Sequence, residues 1–135
     1  MIIGYTAGVF DAFHYGHVNL LRNARSLCDK LIVGLTVDKL VSYKGTKSLF
    51  TYEERFSVVD ACKYVDLVVP QMDMDKISTM TKLKCSKLFV GDDWYGTNKW
   101  QQYEQGAIEH NIEIVYLPYT KSISTSELKE RLIQL

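Results

Sequence analysis

Proline is scarce in this chain. Pro70 and Pro118 are its only two among 135 residues, which leaves no Pro-rich linker to separate domains. Cysteine is thin as well: Cys28, Cys62 and Cys85 are odd in number, widely spaced and outside any CxxC. That usage argues against a disulfide framework or a zinc site and for a reducing compartment. An excess of either charge is missing. Sixteen basic residues balance sixteen acidic ones, so no overall field draws in nucleic acid or an anionic membrane, and any anion site must be local. No apolar run approaches membrane-spanning length, and "MIIGYTAGVF" has no basic n-region ahead of a long apolar stretch. Internal repeats and low-complexity tracts are absent too. With 47% hydrophobic and 24% charged residues the chain can bury a proper core. The expectation is one compact soluble domain over residues 1–135, cytoplasmic, with neither nucleic acid nor membrane as a partner.

What is present is an alternation. Nearly continuous apolar runs at 2–8, 30–37, 65–70, 87–92 and 112–118 read as strands covered on both faces. Segments of helical period lie between and after them. Val18, Leu21, Ala24, Leu27 and Cys28 form one stripe across 16–28. In 51–63, Thr51 followed by Glu54 makes a capping-box pattern, and Ser124 followed by Glu127 repeats it at the start of 124–135. Residues 75–83 and 99–111 read as further helices, the second interrupted by Gly106. This pattern predicts an α/β fold: a doubly wound, five-stranded parallel sheet of Rossmann-like type. Ligands then bind beyond the carboxyl ends of the strands, in the loops 8–17, 38–50, 70–74, 92–98 and 118–124.

The first of these loops carries the densest chemistry. "GVFDAFHYGH" brings Gly8, Asp11, His14, Gly16 and His17 to a strand-to-helix junction. Unpaired N–H groups and the helix dipole favour an anion at such a start, and Gly16 admits a phosphate close to the backbone. His14 and His17 flank that point, where imidazole N–H groups can donate to phosphoryl oxygens. Asp11 suits either a divalent cation or the orientation of a histidine. The H-x-x-H pair lacks the further ligands that zinc needs. The loop also has neither the G-x-G-x-x-G of a dinucleotide site nor the Lys-Ser/Thr of a P-loop. Other candidates are weaker alone. Lys44 beside Gly45 either closes over a triphosphate or is a solvated loop lysine. The hydroxyls of "YTKSISTSEL" either bind phosphate or simply cap a helix. In "GDDWYG", Asp92 or Asp93 can recognise a polyol hydroxyl or base edge beside the Trp94 ring.

Taken together, "GVFDAFHYGH", "YEERFSVVDACKYVD", "VGDDW" and "IVYLPYTKSISTS" resemble, in order, the landmarks of the H-x-G-H nucleotidyltransferase superfamily, and more narrowly of the glycerol-3-phosphate cytidylyltransferase family. The resemblance implies transfer of CMP from CTP to a phosphorylated alcohol, with Mg²⁺, by a cytoplasmic homodimer serving teichoic acid or capsule synthesis. Carried onto this chain, it implies that His14, His17, Lys44 and Asp11 are catalytic, Asp11 also meeting the metal. Gly8, Val9, Phe10, Gly16, Lys44, Arg55, Lys63, Asp92, Tyr119, Thr120, Ser124 and Thr125 would bind nucleotide. Asp38, Asp66, Asp93 and Trp94 would face the acceptor.

The chain departs from that pattern in places. Tyr119 and Lys63 stand where the family usually has arginine, and Ser122 where it has glycine. In "QMDMDKI" neither the tryptophan nor the lysine expected near the acceptor stands at its family position, Lys76 being the run's one lysine. Triphosphate contacts can pass to Lys121 or Lys47, and the acceptor can be a different phosphoalcohol. The rival readings are an adenylyltransferase of the same superfamily and a non-catalytic nucleotide-binding module.

Overall fold

The computed structural model describes residues 1–43, 47–91, 96, 98–118, 120 and 125–134, with the backbone alone at Tyr43, Lys99, Thr125 and Ser126. The elements run β1 (Ile3–Gly8), α1 (Tyr15–Arg25), β2 (Lys30–Thr36), α2 (Asp38–Tyr43), α3 (Tyr52–Asp60) and β3 (Leu67–Gln71). They continue with α4 (Lys76–Lys82), β4 (Lys87–Gly91), α5 (Asn98–Glu109), β5 (Glu113–Leu117) and α6 (Thr125–Ile133). Each apolar run of the sequence forms a strand, with its bounds moved by at most two residues.

The five strands pair in the order β3-β2-β1-β4-β5, every pair parallel. The chain therefore starts at the centre, winds out to β3, and returns to the other side of β1. Strand order reverses between β1 and β4, which opens a crevice at their carboxyl ends. This is the predicted doubly wound α/β sheet.

Alternation along each strand builds a core on both faces. Leu31, Val33, Leu35 and Phe89 pack with Leu21 and Ala24 of α1 and Val59 of α3. On the other face, Tyr5, Ile32, Leu88 and Val90 pack with Met80 of α4 and with Trp100 and Ala107 of α5. Each large side chain fully buried in this way contributes about 1.5–3 kcal/mol relative to its exposed state. One close approach requires glycine: a Cβ on Gly34 would stand 1.9 Å from the Tyr5 hydroxyl and 2.9 Å from Oε1 of Gln71, two groups hydrogen-bonded to each other across β2.

Local signals mostly act as expected. Thr51 caps α3, its Oγ1 accepting from the Glu54 amide at 3.3 Å while Oε1 of Glu54 accepts from the Thr51 amide at 2.9 Å. Two expectations need correction. Residues 38–43 form α2 instead of belonging wholly to a loop; six residues are too few to show an apolar period. Helix α5 also runs unbroken through Gly106, where a Cβ would only just reach Ile77 of α4, at 4.0 Å. Among the described residues no helix is long and apolar enough to cross a membrane.

Candidate active site

The turn after β1 is built under strain. Phe10 and Ala12 are both buried and both take left-handed backbone angles, φ 50° and 48°, which side-chain-bearing residues seldom adopt. Between them Asp11 is 3% exposed, and it supplies one of the anchors. Its Oδ2 accepts from the Leu49 amide at 2.7 Å and pairs with Nζ of Lys129 at 2.9 Å; its Oδ1 accepts from the Phe50 amide at 3.1 Å. Burial alone would raise the Asp11 pKa, but the Leu49 amide, Lys129 and the Phe50 amide together hold it below the usual carboxylate range.

The second anchor is Arg55, only 2% exposed. Its Nη1 donates to the carbonyls of Val9 at 2.9 Å and Thr36 at 2.8 Å, Nε to that of Phe50 at 3.1 Å, and Nη2 to Oδ1 of Asp38 at 2.8 Å. A planar fork on a fixed cation can bind the ends of β1 and β2 and the following loop at once; a lysine cannot. Asp38 is half-exposed, with its carboxylate lowered first by the Tyr52 amide and then by Arg55.

The strained turn delivers two histidines to the start of α1. His14 is the N-cap, and its Nδ1 accepts from the Gly16 amide at 3.0 Å. The His14 amide in turn donates to Nδ1 of His17 at 3.1 Å, a reciprocal cap made by two imidazoles whose ring centroids lie 4.0 Å apart. An Nδ1 that accepts carries no proton, so in both neutral rings the N–H is at Nε2. His17 also packs against the rings of Phe10 and Phe13. That burial, with His14 adding and Asp11 opposing, pushes its pKa down from 6.5 to about 4. Burial likewise lowers that of His14. At neutral pH the turn thus holds two uncharged Nε2–H donors. Each ring is polarised by the amide that donates to its Nδ1, and both sit at the positive end of α1.

This arrangement revises several expectations. Of the unpaired N–H groups expected to meet a phosphate at the start of α1, one, the Gly16 amide, is taken by His14. Arg55 turns its guanidinium inward to main-chain oxygens and Asp38, so it supports the turn rather than facing a nucleotide. Asp11 does not fit a metal: two amides and an ammonium already occupy its oxygens. Among the described residues no group of three or more His, Cys, Asp and Glu side chains is placed to hold a metal ion.

Two candidates stand at the wrong edge of the sheet. Asp66 accepts from the Leu31 amide at 2.8 Å and pairs with Arg25 at 3.0 Å, at the amino ends of β2 and β3. Lys63, just before it, lies over the Tyr64 ring. A strand's length, roughly 20 Å, separates that edge from the histidines. The structure therefore does not bring Lys63 or Asp66 to this site.

At the correct edge, Gly8 ends β1, where an added Cβ would crowd the Phe10 ring at 3.0 Å. The side-chain Nδ2 of Asn19, on α1, donates to Oγ1 of Thr120 at 3.4 Å, which sets Thr120 beside the helix that the histidines start. Lys44, Asp92, Asp93, Trp94, Tyr119 and Ser124, together with Lys121, Ser122 and the Thr125 side chain, lie outside the described residues.

The sequence reading passed over three further groups. Lys129 carries no motif signal of its own before the fold pairs it with Asp11. Asn19 is one polar residue on a helix. Lys76, at the start of α4, stands over the rings of Trp100 and Tyr103 at 5.1 and 5.6 Å, at the carboxyl edge of the sheet. The run "QMDMDKI" contains that lysine, but its aromatic partners come from α5.

A parallel sheet whose reversal point presents neutral N–H donors on a rigid turn is the arrangement of an α/β phosphate-handling protein. The chain belongs to the cytidylyltransferase-like family, whose family model matches residues 5–131. It is 37% identical over 131 residues to the glycerol-3-phosphate cytidylyltransferase of Bacillus spizizenii, covering 96% of each chain. It is 36% identical over 128 residues to the enzyme of that name from Staphylococcus aureus, covering 94% of this chain and 92% of the relative. A solved structure, the lipopolysaccharide core biosynthesis protein from Thermoplasma volcanium, shares the fold. Its TM-score is 0.78 at 24% identity, over 90% of this chain and 99% of that one.

Proposed function

We propose that this protein is a cytidylyltransferase that transfers CMP from CTP to a phosphorylated alcohol, with glycerol 3-phosphate as the acceptor, giving CDP-glycerol and pyrophosphate. The observation that carries this reading is the reciprocal histidine cap at the reversal point of the sheet. It is supported by nearly full-length similarity to two glycerol-3-phosphate cytidylyltransferases.

An acceptor phosphate oxygen attacks the α-phosphorus of CTP. A new P–O bond forms while the bond to the bridging oxygen breaks in line, and pyrophosphate leaves with the electron pair. The acceptor phosphate is largely dianionic at neutral pH, its second pKa being about 6, so no strong general base is required. The protein's task is then to hold the phosphates in line and to stabilise charge on their oxygens. Nε2–H of His14 and of His17 do this as neutral donors, fixed in tautomer before substrate arrives. Lys44 and the hydroxyls of Thr120, Ser124 and Thr125 complete the triphosphate side in this reading, with Asp38, Asp93 and Trp94 on the acceptor side. Mg²⁺ arriving with CTP would supply Lewis-acid help at the phosphates, and Asp11, already bonded to two amides and Lys129, would not hold it. A homodimer in the cytoplasm, supplying an activated polyol for a teichoic acid or capsule polymer, completes the proposal.

The test is a pyrophosphate-release panel: CTP and ATP, each with glycerol 3-phosphate, other polyol phosphates and phosphoethanolamine. Release with CTP and glycerol 3-phosphate above all other pairs supports the reading. Release with ATP alone makes the protein an adenylyltransferase, and nucleotide binding without release makes it a binding module.

A further inference from the structure

Asp11, displaced from a metal role, stands where three segments converge. The turn of β1 brings the carboxylate, the loop before α3 brings the Leu49 and Phe50 amides, and α6 brings Lys129. The lysine reaches further, its Nζ donating to the Lys47 carbonyl at 3.2 Å. The turn leads directly to His14 and His17, the two donors given a phosphate role above. The carboxylate is almost wholly buried and the lysine side chain mostly so, at 28% exposure. Their attraction is therefore little screened by solvent, unlike that of a surface pair.

We propose that Lys129 is a positioning residue for the transfer reaction. Through its ion pair with Asp11 and its bond to the Lys47 carbonyl, it locks α6 and the segment of Lys47, Leu49 and Phe50 onto the histidine turn. The turn that carries the two imidazoles is then held by two other segments, so that cutting the tie misplaces the donors. This inference rests on the cytidylyltransferase reading for its kinetic consequence, while its structural content stands without it.

The alternative role for a lysine in α6 is direct contact with a phosphate, and a double-mutant cycle separates the two. If Lys129 acts through Asp11, Lys129→Met lowers kcat/KM for CTP about tenfold or more, and Lys129→Arg restores most of it. In an Asp11→Asn background the same methionine change then costs less than about threefold, because the link is already cut. Losses that multiply in the double variant overturn the proposal.

A second readout needs no turnover. Amide hydrogen exchange at Leu49 and Phe50 in the nucleotide-free protein should quicken about tenfold or more in Lys129→Met, while the β1–β2 amides keep their wild-type protection. Unchanged exchange at Leu49 and Phe50 overturns the proposal. Lys129→Gln takes the place of the methionine variant if that chain does not fold. Absence of turnover by the wild-type protein would instead count against the cytidylyltransferase reading, and the exchange result would still decide the role of Lys129.

Discussion

The His14 amide donates to Nδ1 of His17 across 3.1 Å, so the second histidine of the motif holds the backbone of the first. The Nδ1 of His14 meanwhile takes the Gly16 amide. The two imidazoles therefore cap their own helix with one nitrogen and keep the other as a donor. The spacing H-x-x-H follows from that geometry, since a capping box joins a helix N-cap to its third residue. A charged imidazolium has no acceptor at Nδ1, so the cap also requires neutral rings.

The burial of His17 in the turn makes stability depend on pH. His17 takes up a proton at about 6.5 when free but only at about 4 in the fold. The unfolded chain therefore binds more protons between those values, and its contribution to stability, intact above pH 6.5, is lost as pH falls toward 4. The loss should reach at most about 3 kcal/mol, given 1.36 kcal/mol per unit. Urea unfolding at pH 7.5 and pH 4.5 measures it. His17→Gln should flatten most of that difference, and an equal difference in the variant would contradict the assignment.

Arg55 should resist its most conservative replacement. Arg55→Lys keeps the charge but cannot reach the Val9, Thr36 and Phe50 carbonyls and Asp38 together. Charge-assisted bonds contribute about 1.5–3 kcal/mol each when one partner is removed, so a loss of about 2–4 kcal/mol is expected. Asp38→Asn, at a half-exposed position, should cost less than about 1 kcal/mol. Denaturant midpoints with an unchanged slope check both values. An Arg55→Lys protein within about 0.5 kcal/mol of wild type would show that the fork does not hold the strand ends.

Gly34→Ala should be better tolerated once Tyr5 loses its hydroxyl, the nearest of three atoms an added Cβ would meet, although Cζ of residue 5 would still stand at 2.6 Å. Gly34→Ala drives a methyl into the Tyr5–Gln71 pair and should cost about 1–3 kcal/mol or more. In a Tyr5→Phe background the added cost of Gly34→Ala should shrink by at least about 1 kcal/mol. Strict additivity in thermal unfolding of the four proteins would place the clash elsewhere.

Much of the fold was legible because its strands are continuous apolar runs between amphipathic segments, a pattern that buried parallel strands impose. Helix α2 was not, because Asp38–Tyr43 is too short to show a period. The histidine turn was visible for its clustering, but its hydrogen bonds were not: Gly16 reads as a gap for phosphate until His14 is seen to take its amide. Asp11 reads as a metal ligand for a related reason. Its partners, Leu49, Phe50 and Lys129, are distant in sequence, and nothing local shows that the carboxylate is already satisfied. Asp66 is the opposite case. It precedes β3, and a residue before a parallel strand lies at the amino edge, away from the crevice. The direction of the chain alone places it there.

The central claim is that His14 and His17 are the neutral donors that stabilise phosphoryl charge. The most direct measurement is the turnover of CTP with glycerol 3-phosphate, followed as pyrophosphate release, in the wild-type protein and in His14→Ala and His17→Ala variants whose folding is verified. Removing one such donor typically costs about 10²–10³ in rate. The expected result is active wild type and a loss of at least about 10² in kcat for each variant; near-normal kcat in both would contradict the account.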